Sequence, residues 1–212
     1  MPIDLIAALI LLISIMCFTA TNLYNILVVY KHRTNAEPYA EVEGPSGFAV
    51  NLAGILTLIY FLEAGTYILL ALTSTFHLAD TPLSFQFALT PYLQTLGLTL
   101  STAGYALFIW SVATRGVYAT SWKMSKIHKL VTDGPYRYVR HPSYLAYFLM
   151  FISLPIIWFN PFTFFPVVGI LGYHLVAVRE EELLTQRFGD EYTRYQKKTG
   201  RFRPKLRQKD KP

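Results

Sequence analysis

Residues 128–144 read HKLVTDGPYRYVRHPSY, and residues 179–196 read REEELLTQRFGDEYTRYQ. Between them lies an apolar stretch, Ser143–Val178, which Asn160 and Pro161 interrupt near its middle. Proline lacks the helical hydrogen-bond donor and disfavours helix at the residue before it, so we expect two short antiparallel helices joined there. Such a hairpin returns the chain to the side from which it started. The basic, aromatic first segment and the carboxylates of the second segment should therefore lie on one side of the hairpin.

The composition is that of a membrane protein. Hydrophobic residues make up 53% of the 212 residues and charged residues only 15%, against ~25% in a typical soluble domain. Three further apolar stretches, roughly Ile3–Tyr30, Phe48–Phe76 and Phe87–Thr114, each exceed the ~20 residues that a helix needs to cross hydrocarbon. We therefore predict an all-α integral membrane protein with about five transmembrane helices. The alternative is four helices plus a re-entrant hairpin. The first stretch is too long for a signal peptide, and we interpret it as a retained helix.

The positive charges predict the orientation in the membrane. All nineteen Lys and Arg residues lie in three segments, two within 31–33, six within 115–140 and eleven within 179–211. With five spans these segments face one side, and the opposite loops at 79–86 and 160–161 carry no positive charge. By the positive-inside rule that side is the cytoplasm, with the N-terminus outside and the C-terminus inside. The net charge of +6 is thus a topological signal with membrane lipids as neighbours, and we expect no nucleic-acid partner.

The two polar segments together resemble the integral-membrane methyltransferases that include isoprenylcysteine carboxyl methyltransferase and the phospholipid N-methyltransferases. That family carries HxLVxxGxYxxxRHPxY, then a helical hairpin, then EExxLxxxFGxEYxxY, and the resemblance covers roughly His128–Pro204. The apolar stretches predict a three-helix transmembrane region at 1–114, and the resemblance implies a family-specific region at 115–212. The latter would comprise a cofactor segment at 128–144, the hairpin at 143–178 and a cytosolic cap with a helix at 179–212.

The resemblance implies methyl transfer from S-adenosyl-L-methionine, which leaves S-adenosyl-L-homocysteine. Such an enzyme must hold donor and acceptor in line and exclude water, and it needs no metal. The donor offers a cation to aromatic faces and carboxylates, and a carboxylate to Arg or His. The implied cofactor-binding residues are His128, Lys129, Leu130, Val131, Tyr136, His141, Pro142, Tyr144 and Glu180, and the implied catalytic residues are Arg140 and Glu181.

Other aromatic residues near these segments have simpler interpretations. Tyr138 and Tyr147 are typical of an interfacial aromatic belt. Phe188, Tyr192 and Tyr195 recur at helical spacing, which indicates a packing stripe more often than a ligand site. We interpret this stripe as the face by which the cap docks.

Two ionisable residues fall within predicted spans. Glu63 lies inside the second span, where an ionisable side chain is costly and usually faces the bundle interior or water. It either lines a substrate tunnel or hydrogen-bonds a tyrosine such as Tyr67. His174 lies shortly before Glu180, and we favour a core histidine over a base at the acceptor site.

The acceptor is predicted to be a lipid-like molecule that enters from the bilayer and reacts at the cytoplasmic face. In the family, isoprenylcysteine enzymes carry an arginine one helical turn before the first glutamate, where this chain has Val176. This departure favours a phospholipid amine or another amphiphile over a prenylcysteine carboxylate. The alternatives are an NADPH-dependent membrane reductase of sterols or related lipids, and a non-catalytic membrane scaffold or transporter. No obligatory protein partner is evident.

Overall fold

The computed structural model describes residues 2–33, 45–76, 88–116 and 129–205 as an assembly of helices. Within these ranges no extended strand forms, and Val139 and Gly200 make one isolated parallel bridge. The prediction of an all-α membrane protein is confirmed. The helices are α1 (Pro2–Arg33), α2 (Phe48–Thr73), α3 (Thr90–Arg115), α4 (Pro142–Ile157), α5 (Gly169–Phe188) and α6 (Asp190–Lys198), with short 3₁₀ helices at Gly134–Arg137 and Pro161–Val168.

Four helical stretches are long and apolar enough to cross a membrane. They are 4–28, 48–73, 90–115 and 161–188, the last combining the second 3₁₀ helix with α5. The chain is thus a multi-pass membrane protein. The remaining apolar helix, α4, has 16 residues. At 1.5 Å per residue it measures about 24 Å, less than the ~30 Å hydrocarbon thickness, so a complete fifth crossing needs the residues that follow α4.

The predicted hairpin is interrupted where expected, and its second helix extends beyond the apolar stretch. The α4 helix ends at Ile157, and the Asn160 side chain accepts a hydrogen bond from the backbone N–H of Phe162 at 3.1 Å, which starts the second 3₁₀ helix. The apolar stretch predicted to form the hairpin ends at Val178, and α5 continues beyond it to Phe188. The α5 helix continues past Val178 because the residues that follow have good helix propensity. It ends before Gly189, whose φ is +50°.

Close helix contacts depend on glycines. On Gly104 of α3, a Cβ atom would lie 3.0 Å from both the carbonyl oxygen of Ala146 and the Cγ of Met150 in α4. On Gly172 of α5, it would lie 2.8 Å from the backbone nitrogen of Ala53 in α2. Small residues let transmembrane helices approach closely, which increases their van der Waals contact. The tightest approaches therefore pair α3 with α4 and α2 with α5.

The helix ends define two ends of the bundle. At one end, Asp4 of α1 accepts hydrogen bonds from Tyr67 of α2 at 3.3 Å and Gln94 of α3 at 2.8 Å. At the other end lie the C-termini of α1, α3 and α5 and the N-termini of α2 and α4. Between the two ends, Phe18 of α1 packs against Phe108 of α3 with ring centroids 4.4 Å apart. The polar segments identified in the sequence belong to this second end.

The C-terminal residues cover the second end of the bundle. Tyr192 and Tyr195 of α6 are buried, as predicted for a docking face, whereas Phe188 is only half-buried. Residues 199–205, which we call the C-terminal strap, then run beside the residues that precede α4. The backbone N–H of Arg140 donates to the carbonyl of Gly200 at 2.8 Å, and that of His141 donates to the carbonyl of Arg201 at 3.1 Å.

Candidate active site

The segment before α4 is shaped by a turn and a helix start. Gly134 has a φ of +54°, and a Cβ atom there would lie 2.6 Å from the hydroxyl of Thr114 on α3. Pro142 occupies the first turn of α4, where its missing N–H costs no helical hydrogen bond, and His141 is the preceding cap residue. The α4 helix therefore starts at the Arg-His-Pro step. It presents Arg140 and His141 toward the C-terminal half of α5.

A buried tyrosine and a buried glutamate connect α4 to α5. The Tyr144 hydroxyl donates to Oε1 of Glu180 at 2.7 Å. Nδ1 of His141 lies 3.5 Å from Oε2 of the same carboxylate. The rings of His141 and Tyr144 are nearly parallel, 7° apart, with centroids separated by 5.5 Å. Three predicted cofactor-binding residues therefore form one continuous group.

The neighbouring carboxylate, Glu181, is the centre of an ion-pair network. Arg140 binds it with two hydrogen bonds, Nε to Oε1 at 2.9 Å and Nη2 to Oε2 at 3.2 Å. Nε2 of His141 lies 3.1 Å from Oε1, and Nη2 of Arg201 donates to Oε2 at 2.8 Å. Arg140 also donates to the carbonyl of Thr199. The two predicted catalytic residues, Arg140 and Glu181, thus bind each other and join α5 to the C-terminal strap.

The imidazole of His141 lies between the two carboxylates. Burial by itself disfavours the charged imidazolium and lowers the pKa of His141. Hydrogen bonds and charge attraction from Glu180 and Glu181 raise it by more, so that the pKa of His141 lies above its ordinary value. The raised pKa favours the protonated form of His141, whose charge would balance part of the negative charge of this buried pair.

Tyr136 offers a buried hydroxyl on the same side of the bundle. This hydroxyl lies near Ser143 but makes no hydrogen bond of good geometry. Burial raises the pKa of Tyr136, and the positive charge of Arg115 at the end of α3 opposes that rise. The backbone carbonyl of Tyr136 accepts a hydrogen bond from the Tyr195 hydroxyl at 2.7 Å, which fixes the residue against α6. The main chain of Tyr136, rather than its hydroxyl, thus makes the contact with α6.

The other predicted cofactor-binding residues are less closely associated with this group. Lys129 is exposed, and Leu130 and Val131 are half-buried. Pro142 is buried in the first turn of α4. His128 lies outside the described residues.

Several interpretations of individual residues need correction. Tyr147 is not part of an interfacial belt, because its ring stacks on that of Tyr173 at 4.8 Å and 10° inside the bundle. Tyr138 is exposed, as a belt residue should be. His174 is exposed beside Phe202 rather than buried in the core. Glu63 is half-buried, and its Oε2 has no hydrogen-bond partner among the described residues.

Sequence reasoning missed three basic or polar residues of this site. Arg201 and Gln196 contact Glu181 from the C-terminal strap and α6, the latter at 3.4 Å. The charge of Arg115 acts on the hydroxyls of Tyr136 and Tyr144. Both arginines were interpreted only as topological signals, and the sequence pattern around them contains no further clue. Only the fold brings them to the carboxylates and tyrosines.

Part of the chain is similar to a known protein family. Residues 96–186 match the sequence model of the isoprenylcysteine carboxyl methyltransferase family. This match covers less than half of the chain. The matched range includes α4, most of α5 and both glutamates, whereas Gln196 and Arg201 lie beyond it.

Individual proteins are also similar to part of the chain. A protein-S-isoprenylcysteine O-methyltransferase of Schizosaccharomyces pombe is 38% identical over 84 residues, which are 36% of this chain and 33% of the relative. The enzyme of that name from Tribolium castaneum is 31% identical over 115 residues, 51% of this chain and 41% of the relative. Protein-S-isoprenylcysteine O-methyltransferase B of Arabidopsis thaliana is 28% identical over 110 residues, 49% of this chain and 55% of the relative. The chain thus spans between a third and just over half of the length of these relatives.

Proposed function

We propose that this protein transfers a methyl group from S-adenosyl-L-methionine to the carboxylate of an isoprenylcysteine-type lipid. The observation that carries the proposal is the buried group of Tyr144, Glu180 and His141. It lies where the N-terminus of α4 meets the C-terminal half of α5, a place that we call the mouth of α4 and α5. Its members match the motif by which the sequence resembles this family, and the relatives are named isoprenylcysteine O-methyltransferases. The distribution of Lys and Arg supports a cytoplasmic location for this end of the bundle.

The residues present fit the methyl donor. Glu180 and the Tyr144 ring offer a carboxylate and an aromatic face, the two partners that suit a sulfonium cation. The buried Tyr136 hydroxyl and the protonated His141 are donors that suit a carboxylate. When bound, S-adenosyl-L-methionine supplies a methyl group whose bond to the sulfonium sulfur breaks as the acceptor oxygen bonds to the carbon.

The chain's own residues orient the reactants and exclude water. A carboxylate acceptor is already ionised above a pKa of about 4, so the reaction requires no general base. Glu181 is held by Arg140, His141 and Arg201, and this makes it a poor base. Its role in the proposal is to fix Arg140 and His141 around the donor. Pre-organised positioning of this kind is a major source of rate acceleration.

The proposed acceptor, a prenylcysteine carboxylate, differs from the phospholipid amine that the sequence favoured. Val176, which stands where an acceptor-binding arginine was expected, is buried and only 1% exposed, and it packs in the core. That residue alone favoured a phospholipid amine. The names of the relatives favour the prenylcysteine carboxylate, and this acceptor also suits a site whose carboxylates are fully paired.

The experiment is a methyl-transfer assay with radiolabelled donor and the protein in lipid nanodiscs. We expect base-labile methyl ester on a prenylcysteine acid, and a loss of about ten-fold or more when Glu180→Gln or Tyr144→Phe removes the hydrogen bond between them. Arg179→Ala, in an exposed ion pair with Glu182, is the matched control and should retain wild-type activity. Label appearing only in phospholipid, and not as an ester, would show that an amine is the acceptor.

A further inference from the structure

An apolar groove lies between α1 and α3 at the same end of the bundle as the candidate active site. Its volume is about 500 Å³. It is partly open and lies along the C-terminal turns of both helices, where it is lined by residues that include Ala20, Tyr24, Val28, Val112, Ala113 and Gly116.

The size and walls of the groove suit a hydrocarbon chain. A volume of 500 Å³ falls within the ~300–1,000 Å³ of typical small-molecule sites. The walls are almost entirely apolar, and α1 and α3 are both long enough to span the bilayer. A ligand therefore has access from the membrane, and burial of its CH₂ groups against protein would depend on shape and van der Waals contact.

The groove ends beside a positive charge. Val112 and Gly116 line the groove, and Arg115 lies three residues after the first and next to the second on α3. Residues three apart are neighbours on a helix surface, so Arg115 lies beside the lining residues at the end of the groove. An anionic group at the end of a hydrocarbon chain complements this arrangement.

The same arginine also faces the candidate donor site. Its charge acts on the hydroxyls of Tyr136 and Tyr144, and Tyr144 is the hydrogen-bond donor to Glu180. The turn at Gly134 abuts Thr114, the residue before Arg115. Arg115 is thus close along α3 both to lining residues of the groove and to Thr114, against which the turn that precedes Tyr136 packs.

We propose that the α1–α3 groove holds the prenyl chain of the acceptor and that Arg115 binds the acceptor's carboxylate beside Tyr144 and Glu180. This inference rests on the proposed function and adds its acceptor site. It also explains how the chain can recognise a carboxylate with Val176 in the position where an arginine was expected. The arginine comes from α3 instead of α5.

The test measures binding directly, separately from catalysis. The probes are N-acetyl-S-farnesylcysteine and its methyl ester, which share the prenyl chain and differ in charge, and binding is measured with S-adenosylhomocysteine present. Ala113→Trp fills the groove, and Ala106→Trp places the same side chain two turns earlier on an exposed part of α3 outside it. Arg115→Gln removes the charge at the mouth of the groove. The affinity of each protein for S-adenosylhomocysteine alone is measured by calorimetry.

We expect Ala113→Trp to weaken both probes about ten-fold or more, and Ala106→Trp to bind them as wild type does. Arg115→Gln should weaken the acid by a similar factor and leave the ester unchanged, because only the acid carries the charge. Ala113→Trp and Ala106→Trp should keep the wild-type affinity for S-adenosylhomocysteine. Wild-type binding of both probes by Ala113→Trp, or equal losses for acid and ester in Arg115→Gln, would overturn the groove assignment but not the proposed function.

Two further outcomes would also refute the inference. A wild-type protein that binds S-adenosylhomocysteine but neither probe would mean that the proposed acceptor is wrong, and the inference would fail with it. A lower affinity of Arg115→Gln for S-adenosylhomocysteine, with unchanged discrimination between acid and ester, would assign the arginine to the carboxylate of the donor.

Discussion

The contacts of Glu181 explain why a charged residue is tolerated near the end of a membrane helix. Its side chain is 6% exposed, and that of Arg140 is 9% exposed. Both carboxylate oxygens are hydrogen-bonded, and a second arginine, Arg201, binds from the C-terminal strap. A buried ion pair adds little relative to apolar residues, but removing one partner leaves an uncompensated charge. The network therefore fixes the conformation of the site.

The first prediction compares a buried arginine with an exposed one. Arg140→Ala should destabilise the protein by roughly 3–5 kcal/mol, because Glu181 then loses its bidentate partner. Arg179→Ala should cost less than about 1 kcal/mol, because its pair with Glu182 is 62% and 51% exposed. SDS-induced unfolding in mixed micelles measures both. Equal stabilities would show that the Glu181 network does not constrain the fold.

The second prediction concerns the pH dependence of stability through His141. Its folded pKa is raised above the unfolded value of about 6.5, so its contribution is fully present below about pH 6.5 and is lost as pH rises through the folded pKa. Wild type should therefore exceed His141→Gln in melting temperature most at about pH 5.5, and the difference should shrink at higher pH.

Glu180 and Glu181 are the acidic groups facing this imidazole, and Arg140 and Arg201 share Glu181 with it. Melting curves in detergent at several pH values provide the measurement. A constant difference between His141→Gln and wild type across the neutral range would mean that His141 is not protonated in the folded protein.

At the scale of helices, close packing depends on a few glycines. Gly172 approaches the backbone of α2, so that a methyl group would lie 2.8 Å from the nitrogen of Ala53 and 3.1 Å from the carbonyl of Ala49. Gly65, also within a helix, has no atom within 4 Å of a Cβ position. The two sites differ in packing and share the same intrinsic cost of glycine in a helix.

The third prediction uses this pair. Gly172→Ala should destabilise the protein by about 1–3 kcal/mol, because backbone atoms cannot move aside as a flexible side chain can. Gly65→Ala should be neutral or stabilise by up to about 1 kcal/mol, because alanine has the higher helix propensity. The same SDS titration compares them. If both substitutions had the same effect, the close approach of α5 to α2 would be wrong.

The sequence predicted the presence of the helices better than the residues at which they end. The break at Asn160 and Pro161 was predictable, because a proline acts on its immediate neighbours. The end of α5 was not, because the change from apolar to charged residues after Val178 was interpreted as the end of a helix. The α5 helix instead continues until Gly189, and buried partners stabilise the glutamates within it.

The candidate site was predictable only in part for a similar reason. Tyr144 and Glu180 are identified by the family motif, and the structure brings them into contact. Arg115 and Arg201 resemble the other membrane-proximal basic residues in the sequence. Their roles depend on contacts between segments far apart along the chain, which no local pattern indicates.

For the whole molecule, the fourth prediction concerns the number of membrane crossings. In a Cys17→Ser background, single cysteines at Asp80 and Lys205 should be labelled from opposite sides of oriented vesicles if the chain crosses five times. The cysteine at Lys205 should react from the cytoplasmic side, where most Lys and Arg residues are expected. Labelling of both cysteines from one side would favour four spans with α4 in a re-entrant hairpin.

The central claim is that the mouth of α4 and α5 binds the methyl donor, and calorimetry of the purified protein tests it most directly. Titration with S-adenosylhomocysteine should release or absorb heat and titration with NADPH should not. Tyr136→Phe and Glu180→Gln should each weaken binding about ten-fold or more, whereas Arg179→Ala should bind as wild type does. Heat from NADPH alone, or unchanged affinity of both site variants for S-adenosylhomocysteine, would contradict the account.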